Sequence, residues 1–198
     1  MDKKEMIDNL IDLEWYAFTK VENEGGRAYC QDDWETFYLM RMSQYICWPE
    51  NLIESFTQDL IDANKREWNL VAEKYARMEE FTAPEEYKKI ESLLPVISVN
   101  QKALIDEIVK AHNQWMDEFY SANPNMAERG RPLHTSEEDG MTSAETYLRG
   151  ELGTYSYRTL SIYADWVREL KANGENLTEQ IVGNEAKLYG YKSVKDVQ

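Results

Sequence analysis

The stretch KKEMIDNLIDLEWYAFTKVE, residues 3–22, decides the fold class. Its apolar residues recur at three- and four-residue spacings, which places Ile7, Ile11 and Phe18 on one face of a helix. The same spacing continues through nearly the whole chain, and no segment alternates apolar and polar residues with the period of a strand. We therefore predict an all-α, single-domain helical bundle of about six to eight helices with no significant sheet. The predicted domain covers residues 1–198, with an ordered core over about residues 3–190.

Glycine, proline and capping residues set the ends of the predicted helices. The helices are expected over roughly 3–22, 32–48, 49–61, 67–80, 84–94, 100–120, 143–172 and 176–189. The stretch SANPNMAERGRPLHTSEEDGMT, residues 121–142, is predicted to be irregular. Because packing does not require a connection of this length, we expect it to be functional or mobile.

Composition and charge exclude several classes of protein. The chain has 22 Lys and Arg residues against 37 Asp and Glu residues, so its net charge is −15. A phosphate backbone must be met by a basic face, and we therefore expect no nucleic-acid partner. No apolar run approaches the roughly 18 residues of a membrane span, so we expect no membrane partner. The first residues, MDKKEMIDNLIDLE, carry acids inside their apolar stretch, unlike a secretory signal, and we predict a cytoplasmic protein.

Two charged residues occupy the middle of predicted apolar faces. Glu14 lies on the buried face of the first helix, and Arg41 lies on that of the second, with Gln44 nearly one turn further. Because a lone buried charge costs several kcal/mol, we predict that Glu14 and Arg41 form an internal ion pair. Such a pair is either structural, fixing the packing of two helices, or part of a site in which one member also faces a cavity.

His112 is a further polar residue on an apolar face, between Ile108 and Trp115. A histidine in this setting is more often a hydrogen-bonded core residue than a base or a metal ligand. The other histidine is His134, and neither HExxH nor ExxH occurs, so we predict no metal site. Haem bound through His112 is an alternative that an absorbance spectrum would test.

Three arginines in the long irregular stretch and in the helix after it are candidates for binding an anion. Arg129 and Arg131 stand together close to His134, and a guanidinium suits carboxylates and phosphates. Arg149 is a third candidate for an anion, although an i,i+4 pair with Glu145 explains it equally well. Gly150 and Gly153 in the same segment indicate a close backbone approach to another helix or to a ligand.

Two weaker features lie at the start of the second helix. Cys30 stands near a helix N-terminus that could lower its thiol pKa, but Asp32 and Asp33 oppose that shift, and a nucleophilic Cys30 is only an alternative. The acids Asp32, Asp33 and Glu35 could hold Mg²⁺, but helix capping explains them more simply.

Five stretches are distinctive in combination: EGGRAYCQDDWETF (24–37), RMSQYICWP (41–49), EKYARM (73–78), RGRP (129–132) and ETYLRGELGTYS (145–156). Together they resemble a bacterial family, DUF4125, a domain of unknown function. The resemblance spans almost the whole chain, from Glu14 to about Tyr191. It implies a bacterial, cytosolic, single-domain protein and supplies no activity, cofactor or catalytic residue.

These observations lead to two hypotheses from different classes. The first is a metal-independent binding protein or enzyme with a polar site inside the bundle. It would hold a small anionic metabolite, with Glu14 and His112 as acid–base groups and five ligand-binding residues: Arg41, Gln44, Arg129, Arg131 and Arg149. The second is a protein–protein interaction or structural module that uses the 6 Trp and 13 Tyr residues as contact faces. The sequence names no cofactor, and it is compatible with a homo-oligomer.

Overall fold

The computed structural model describes residues 1–23, 25–127, 131–135 and 142–197. These residues form ten α-helices and three 3-10 turns, and no strand occurs among them. The all-α prediction is therefore confirmed. The helices are α1 (Lys3–Thr19), α2 (Trp34–Tyr45), α3 (Glu50–Lys65), α4 (Leu70–Thr82), α5 (Pro84–Ile90), α6 (Val99–Ala122), α7 (Pro124–Ala127), α8 (Ala144–Leu152), α9 (Tyr157–Ala172) and α10 (Leu177–Leu188). No helix of the described residues is both long and apolar enough to cross a membrane.

The chain divides into two compact units. The first unit combines Met1–Ala72 with Leu177–Gln198, and the second is Glu73–Asn176. The boundary falls within α4, so that its first turn belongs to the first unit and the rest to the second. The single domain over residues 1–198 stays a prediction.

In the first unit, α1 packs against α2 and α3, and α10 packs against α2. The α1 helix begins at a capping box, in which Asp2 accepts the backbone N–H of Glu5 and the Glu5 carboxylate accepts that of Asp2. The core of this unit is apolar and aromatic. Its fully buried side chains include Leu10, Ile11, Tyr45, Trp48, Leu52 and Ile53. Each stabilises the fold by about 1.5–3 kcal/mol relative to exposure, before the loss of side-chain entropy.

Gln31 anchors the connection between α1 and α2. Its side-chain N–H groups donate to the carbonyls of Phe18 and Val21, each at 2.9 Å. Its side-chain oxygen accepts from the Asn23 amide and the Ala28 backbone, also at 2.9 Å. All four hydrogen-bonding positions of the amide are therefore satisfied at a residue that is 1% exposed.

In the second unit, α6 packs against α9 and α8. A capping box of Ser98 and Gln101 begins α6, and the buried side chains of this helix include Ile108 and Trp115. On α9, Leu160 and Tyr163 are fully buried against this core. The long apolar face predicted for α6 is thus confirmed.

The structure corrects three features of the predicted helices. One helix was expected over 143–172, but residues 153–156 separate α8 from α9, because Ser156 caps the start of α9 by accepting the Thr159 N–H. The stretch predicted to be irregular contains the short helix α7. The total of ten helices also exceeds the expected six to eight, and α5 and α7 have only 7 and 4 residues.

Candidate functional site

A cleft of about 360 Å³ in the second unit is lined by residues from four helices and the segment between α5 and α6. We call it the charged cleft. Its charged residues are Arg77 and Glu80 from α4, Glu91 from the 3-10 turn after α5, Lys102 and Asp106 from α6, and Arg149 from α8. Its apolar wall includes Phe81, Leu94, Ile97 and Ile105. A volume of this size and a wall of mixed character are typical of sites for small organic molecules.

Arg77 is held in place inside this unit. Its guanidinium pairs with Glu73 one turn earlier, at 2.6 Å, and donates to the Pro95 carbonyl at 2.7 Å. Both residues of the pair are buried. Gly153 makes room for the Arg77 side chain, since a Cβ at this position would lie 2.6 Å from the Arg77 Cδ. Because these contacts fix the guanidinium, it reaches the charged cleft with little freedom left to lose on binding.

Arg149 of α8 is another cation in the lining of the same cleft. Its Nε donates to Glu145 at 2.8 Å and its Nη1 to Asp106 at 2.9 Å. The i,i+4 pair with Glu145 considered from the sequence is therefore present. Burial opposes the charge of Arg149, but the hydrogen bonds with Asp106 and Glu145 outweigh it and raise its pKa. Nη2 of Arg149 makes no hydrogen bond to a described residue.

A second polar cluster of this unit lies on α4 and α8. Lys74 pairs with Glu151 at 2.6 Å, and Tyr155 donates a hydrogen bond to the same carboxylate at 3.1 Å. The close approach predicted at Gly150 is confirmed, because a Cβ there would lie 2.8 Å from the Lys74 carbonyl oxygen. The helices that carry EKYARM and ETYLRGELGTYS, two of the stretches behind the family resemblance, are therefore in direct contact.

His112 has an aromatic environment in the second unit. Its Nε2 lies 3.1 Å from the Tyr163 hydroxyl, and the rings of Trp115 and Tyr163 contact its ring edge to face. Burial lowers the pKa of His112 to about 4, and the negative charge of Glu151 opposes this shift only in part. The imidazole is therefore neutral at pH 7. A haem iron at Nε2 would replace the contact with the Tyr163 hydroxyl.

The predicted ion pair of Glu14 and Arg41 is present in the first unit. Oε1 of Glu14 lies 3.0 Å from Nη2 of Arg41, and Oε2 accepts a hydrogen bond from the Tyr45 hydroxyl. Nη1 of Arg41 donates to Gln44 at 3.2 Å. Glu14 is 2% exposed. A carboxylate whose two oxygens both have protein partners is satisfied by the fold itself, which favours the structural interpretation of this pair.

The remaining predicted residues have the following places. Arg131 is exposed, and its guanidinium lies 4.0 Å from the centre of the Tyr147 ring, where it forms a cation–π contact. Arg129 lies outside the described residues. His134 is exposed and pairs with Asp117 at 2.7 Å. The structure therefore places Glu14, Arg41 and Gln44 together in the first unit, and His112, Arg131 and Arg149 in the second.

The acids at the start of α2 have structural roles. Asp33 caps α2 by accepting the Thr36 N–H, and Asp32 pairs with Arg27 at 2.7 Å, so the capping explanation is confirmed for Asp33.

Cys30 is exposed and Cys47 is half-buried. Burial raises the pKa of Cys47 to about 11. Within the described part of the chain, no group of three His, Cys, Asp or Glu side chains is placed to hold a metal ion.

Sequence reasoning missed Glu73, Lys74, Arg77 and Lys102. Glu73 and Arg77 stand four residues apart, which is also the spacing of an exposed pair such as Lys4 and Asp8. Gly150 in α8 and Gly153 directly after it were the available sequence evidence, because they indicated that another element approaches closely. The sequence did not show that the approaching element is the charged side of α4.

The described residues form an all-helical protein with a cleft of mixed charge in its second unit. The chain belongs to the family described as protein of unknown function (DUF4125), whose model matches residues 4–198. The resemblance stated from the sequence is thereby confirmed. Neither the curated proteins nor the solved structures contain a match to this chain.

Proposed function

We propose that the protein binds a small molecule with a single anionic group in the charged cleft. One observation carries this proposal: a chain with a net charge of −15 brings Arg77, Lys102 and Arg149 from three helices to the lining of one cleft. Two of the three cations are held by neighbouring carboxylates, so little ordering is needed when a ligand arrives.

The carboxylates of the same cleft limit the charge of the ligand. Glu80, Glu91 and Asp106 line it as well. At short range these acids repel further negative charge, so a polyphosphate would bind worse than a monoanion. The apolar wall favours an organic body. A carboxylic acid with an apolar or aromatic portion has one negative charge for the cations, no further charge for the acids to repel, and a body that packs against the apolar wall.

The other predicted residues enter this proposal in different ways. Arg131 would add positive charge near α8, where its guanidinium contacts the Tyr147 ring. Arg41 and Gln44 belong to the first unit, and the proposal does not need them. The assignments of Glu14 and His112 as acid–base groups stay predictions, as do the bacterial source and the cytoplasmic location.

Calorimetric titration of the full chain with benzoate, succinate and inorganic phosphate tests this site. We expect benzoate to bind and phosphate to bind more weakly. Lys102→Ala should weaken benzoate binding about three- to tenfold, since one direct charge contact is lost. Lys110→Ala is the matched control, because Lys110 is an exposed lysine on the same helix that does not line the cleft. Equal affinities of the two variants, or tighter binding of phosphate than of benzoate, would contradict the proposal.

A second candidate function is a protein interaction surface. Leu93, Val96 and Val99 are 71%, 92% and 83% exposed, and they lie within seven residues of one another. Such a group of exposed apolar side chains is typical of a contact surface. Light scattering of the wild type and of Val96→Asp tests whether this surface joins two copies. A monomer at all concentrations in both proteins would contradict self-association.

A further inference from the structure

A second cleft, of about 450 Å³, belongs entirely to the first unit. It lies where the end of α1 meets the connection between α3 and α4. We call it the aromatic cleft. Leu13, Leu60 and Ala63 are among its apolar lining residues, and Tyr16 and Trp68 add aromatic rings. Its charged lining residues are Lys20 and Glu67.

Glu67 has a backbone conformation that usually belongs to glycine. Its φ is +56°, and it is the only residue other than glycine with a positive φ among the described residues. The backbone N–H of Glu67 bonds to Asn64 and that of Trp68 to Ala63, which is the Schellman arrangement at the end of α3. Glycine at this position would avoid the steric penalty of the left-handed conformation. The chain instead places a carboxylate at the aromatic cleft.

Asn69 fixes the wall beside this carboxylate. Its side-chain N–H donates to the Ala17 carbonyl at 2.8 Å, and its side-chain oxygen accepts the N–H groups of Val71 and Ala72. The residue therefore ties the end of α1 to the start of α4. Because the backbone on both sides of Trp68 is held by hydrogen bonds, the cleft is formed before any ligand binds.

The aromatic cleft already has an ammonium group at one of its aromatic rings. The Lys20 ammonium already lies 5.6 Å from the centre of the Tyr16 ring, within the range of a cation–π contact. The net charge of −15 attracts cations to the whole chain. A ligand ammonium between the carboxylate of Glu67 and an aromatic face would gain both interactions.

We propose that the aromatic cleft binds a small organic amine in its ammonium form. The ammonium group pairs with Glu67, and the body of the amine lies against Tyr16 and Trp68. Lys20 is on an exposed, flexible side chain and moves aside, so it acts as a competing internal cation. This site is separate from the charged cleft and does not depend on the function proposed there.

Proton–nitrogen NMR spectra of the full chain provide the test, because each of the 6 Trp residues has one indole N–H signal. The Trp68→Phe variant identifies the signal of Trp68. Titration with three probes of similar shape follows: benzylamine, benzyl alcohol and benzoate. We expect benzylamine to shift the Trp68 signal at the lowest concentration, with benzyl alcohol weaker and benzoate without effect.

Variants at Glu67 and Lys20 then separate the contributions of these two charged residues to benzylamine binding. Glu67→Gln should weaken benzylamine binding about tenfold, as expected for the loss of a charge partner at a partly exposed site. Lys20→Met should leave the affinity unchanged or strengthen it severalfold. Glu54→Gln is the matched control, since Glu54 is exposed on α3 and does not line the cleft.

Glu67→Gly distinguishes the side chain from the backbone. It should raise the stability of the chain and still weaken benzylamine binding, a combination that a misfolded variant cannot produce. Tighter binding of benzoate than of benzylamine, with loss of binding in Lys20→Met, would overturn the proposal in favour of an anion. A Trp68 signal that none of the three probes shifts would overturn it as well.

Discussion

Arg77 and Gly153 approach each other so closely that only a hydrogen fits on the glycine: a Cβ there would lie 2.6 Å from Cδ of Arg77. The contact joins the buried pair of Glu73 and Arg77 to the end of α8. The orientation of Arg77 in the charged cleft therefore depends on a residue that has no side chain.

Alanine at Gly150 in α8, or at Gly153 directly after this helix, should be destabilising. A Cβ at Gly150 would meet the Lys74 carbonyl at 2.8 Å, and backbone cannot move aside as a side chain can. We expect Gly150→Ala to lower the free energy of unfolding by about 2–3 kcal/mol and Gly153→Ala by about 1–2 kcal/mol. Urea denaturation followed by circular dichroism measures both.

Gly183 provides the control for these substitutions. It lies inside α10, and no atom lies within 4 Å of the Cβ position. Gly183→Ala should therefore stabilise the chain by about 0.5–1 kcal/mol through helix propensity. A similar loss of stability in all three variants would show that close packing is not the cause.

Breaking the pair of Glu14 and Arg41 should cost more than removing it whole. Arg41→Met leaves the Glu14 carboxylate buried without its cation, and we expect a loss of about 3–5 kcal/mol. The double variant Glu14→Met, Arg41→Met should be more stable than Arg41→Met alone. Chemical denaturation of the single and double variants measures the coupling. The exposed pair of Asp62 and Lys65 is the control, and Asp62→Ala should change stability by less than about 0.5 kcal/mol.

The low pKa of His112 predicts a specific pH dependence. Because the pKa is about 4 in the folded chain and 6.5 ordinarily, the unfolded chain binds more protons between these values. The free energy of unfolding should therefore fall as the pH decreases from 6.5 to 4, by up to about 3 kcal/mol, and this group should contribute nothing above that window.

The His112→Gln variant checks this assignment. It should flatten the dependence of the urea midpoint on pH between 6.5 and 4. His134→Gln is the matched control, because it removes the other histidine of the chain at an exposed position. An unchanged slope in His112→Gln would assign the pH dependence to other groups.

Replacing Gln31 by glutamate tests the anchor between α1 and α2. Glutamate has nearly the same shape, but its carboxylate would face the carbonyls of Phe18 and Val21 that now accept hydrogen bonds. We expect a loss of about 2–4 kcal/mol in thermal or urea unfolding at pH 7. Asn23→Ala removes one of the four bonds to Gln31 and should cost only about 0.5–1.5 kcal/mol.

Apolar periodicity was sufficient to predict the fold class and the pair of Glu14 and Arg41, because both depend on which face of a helix is buried. The separation of α8 from α9 could not be predicted in this way. The apolar stripe continues in the sequence from Leu152 through Tyr155 to Ile162, while Ser156 ends the continuity by capping a new helix. The hydrogen bond from the Thr159 N–H to Ser156 therefore begins a new helix, although the apolar spacing continues.

The composition of the charged cleft was harder to predict than the fold. Arg149 was predicted from the sequence as a third arginine that could bind an anion. Arg77 and Lys102 were not, since each resembles a charged residue on a solvated face. Only the packing of α4 against α8, which buries Glu73 with Arg77, shows that the pair is internal. The burial of this pair depends on contacts between residues that are distant in the sequence, and helical periodicity does not predict such contacts.

The two thiols differ in a way that has a practical use. The Cys47 thiol, half-buried and with a pKa of about 11, is almost entirely protonated at neutral pH and should react slowly with maleimides. Cys30 is exposed in the turn before α2. The natural chain thus offers one preferred attachment point for a fluorophore or spin label, and the segment after α1 can be observed without introducing a cysteine.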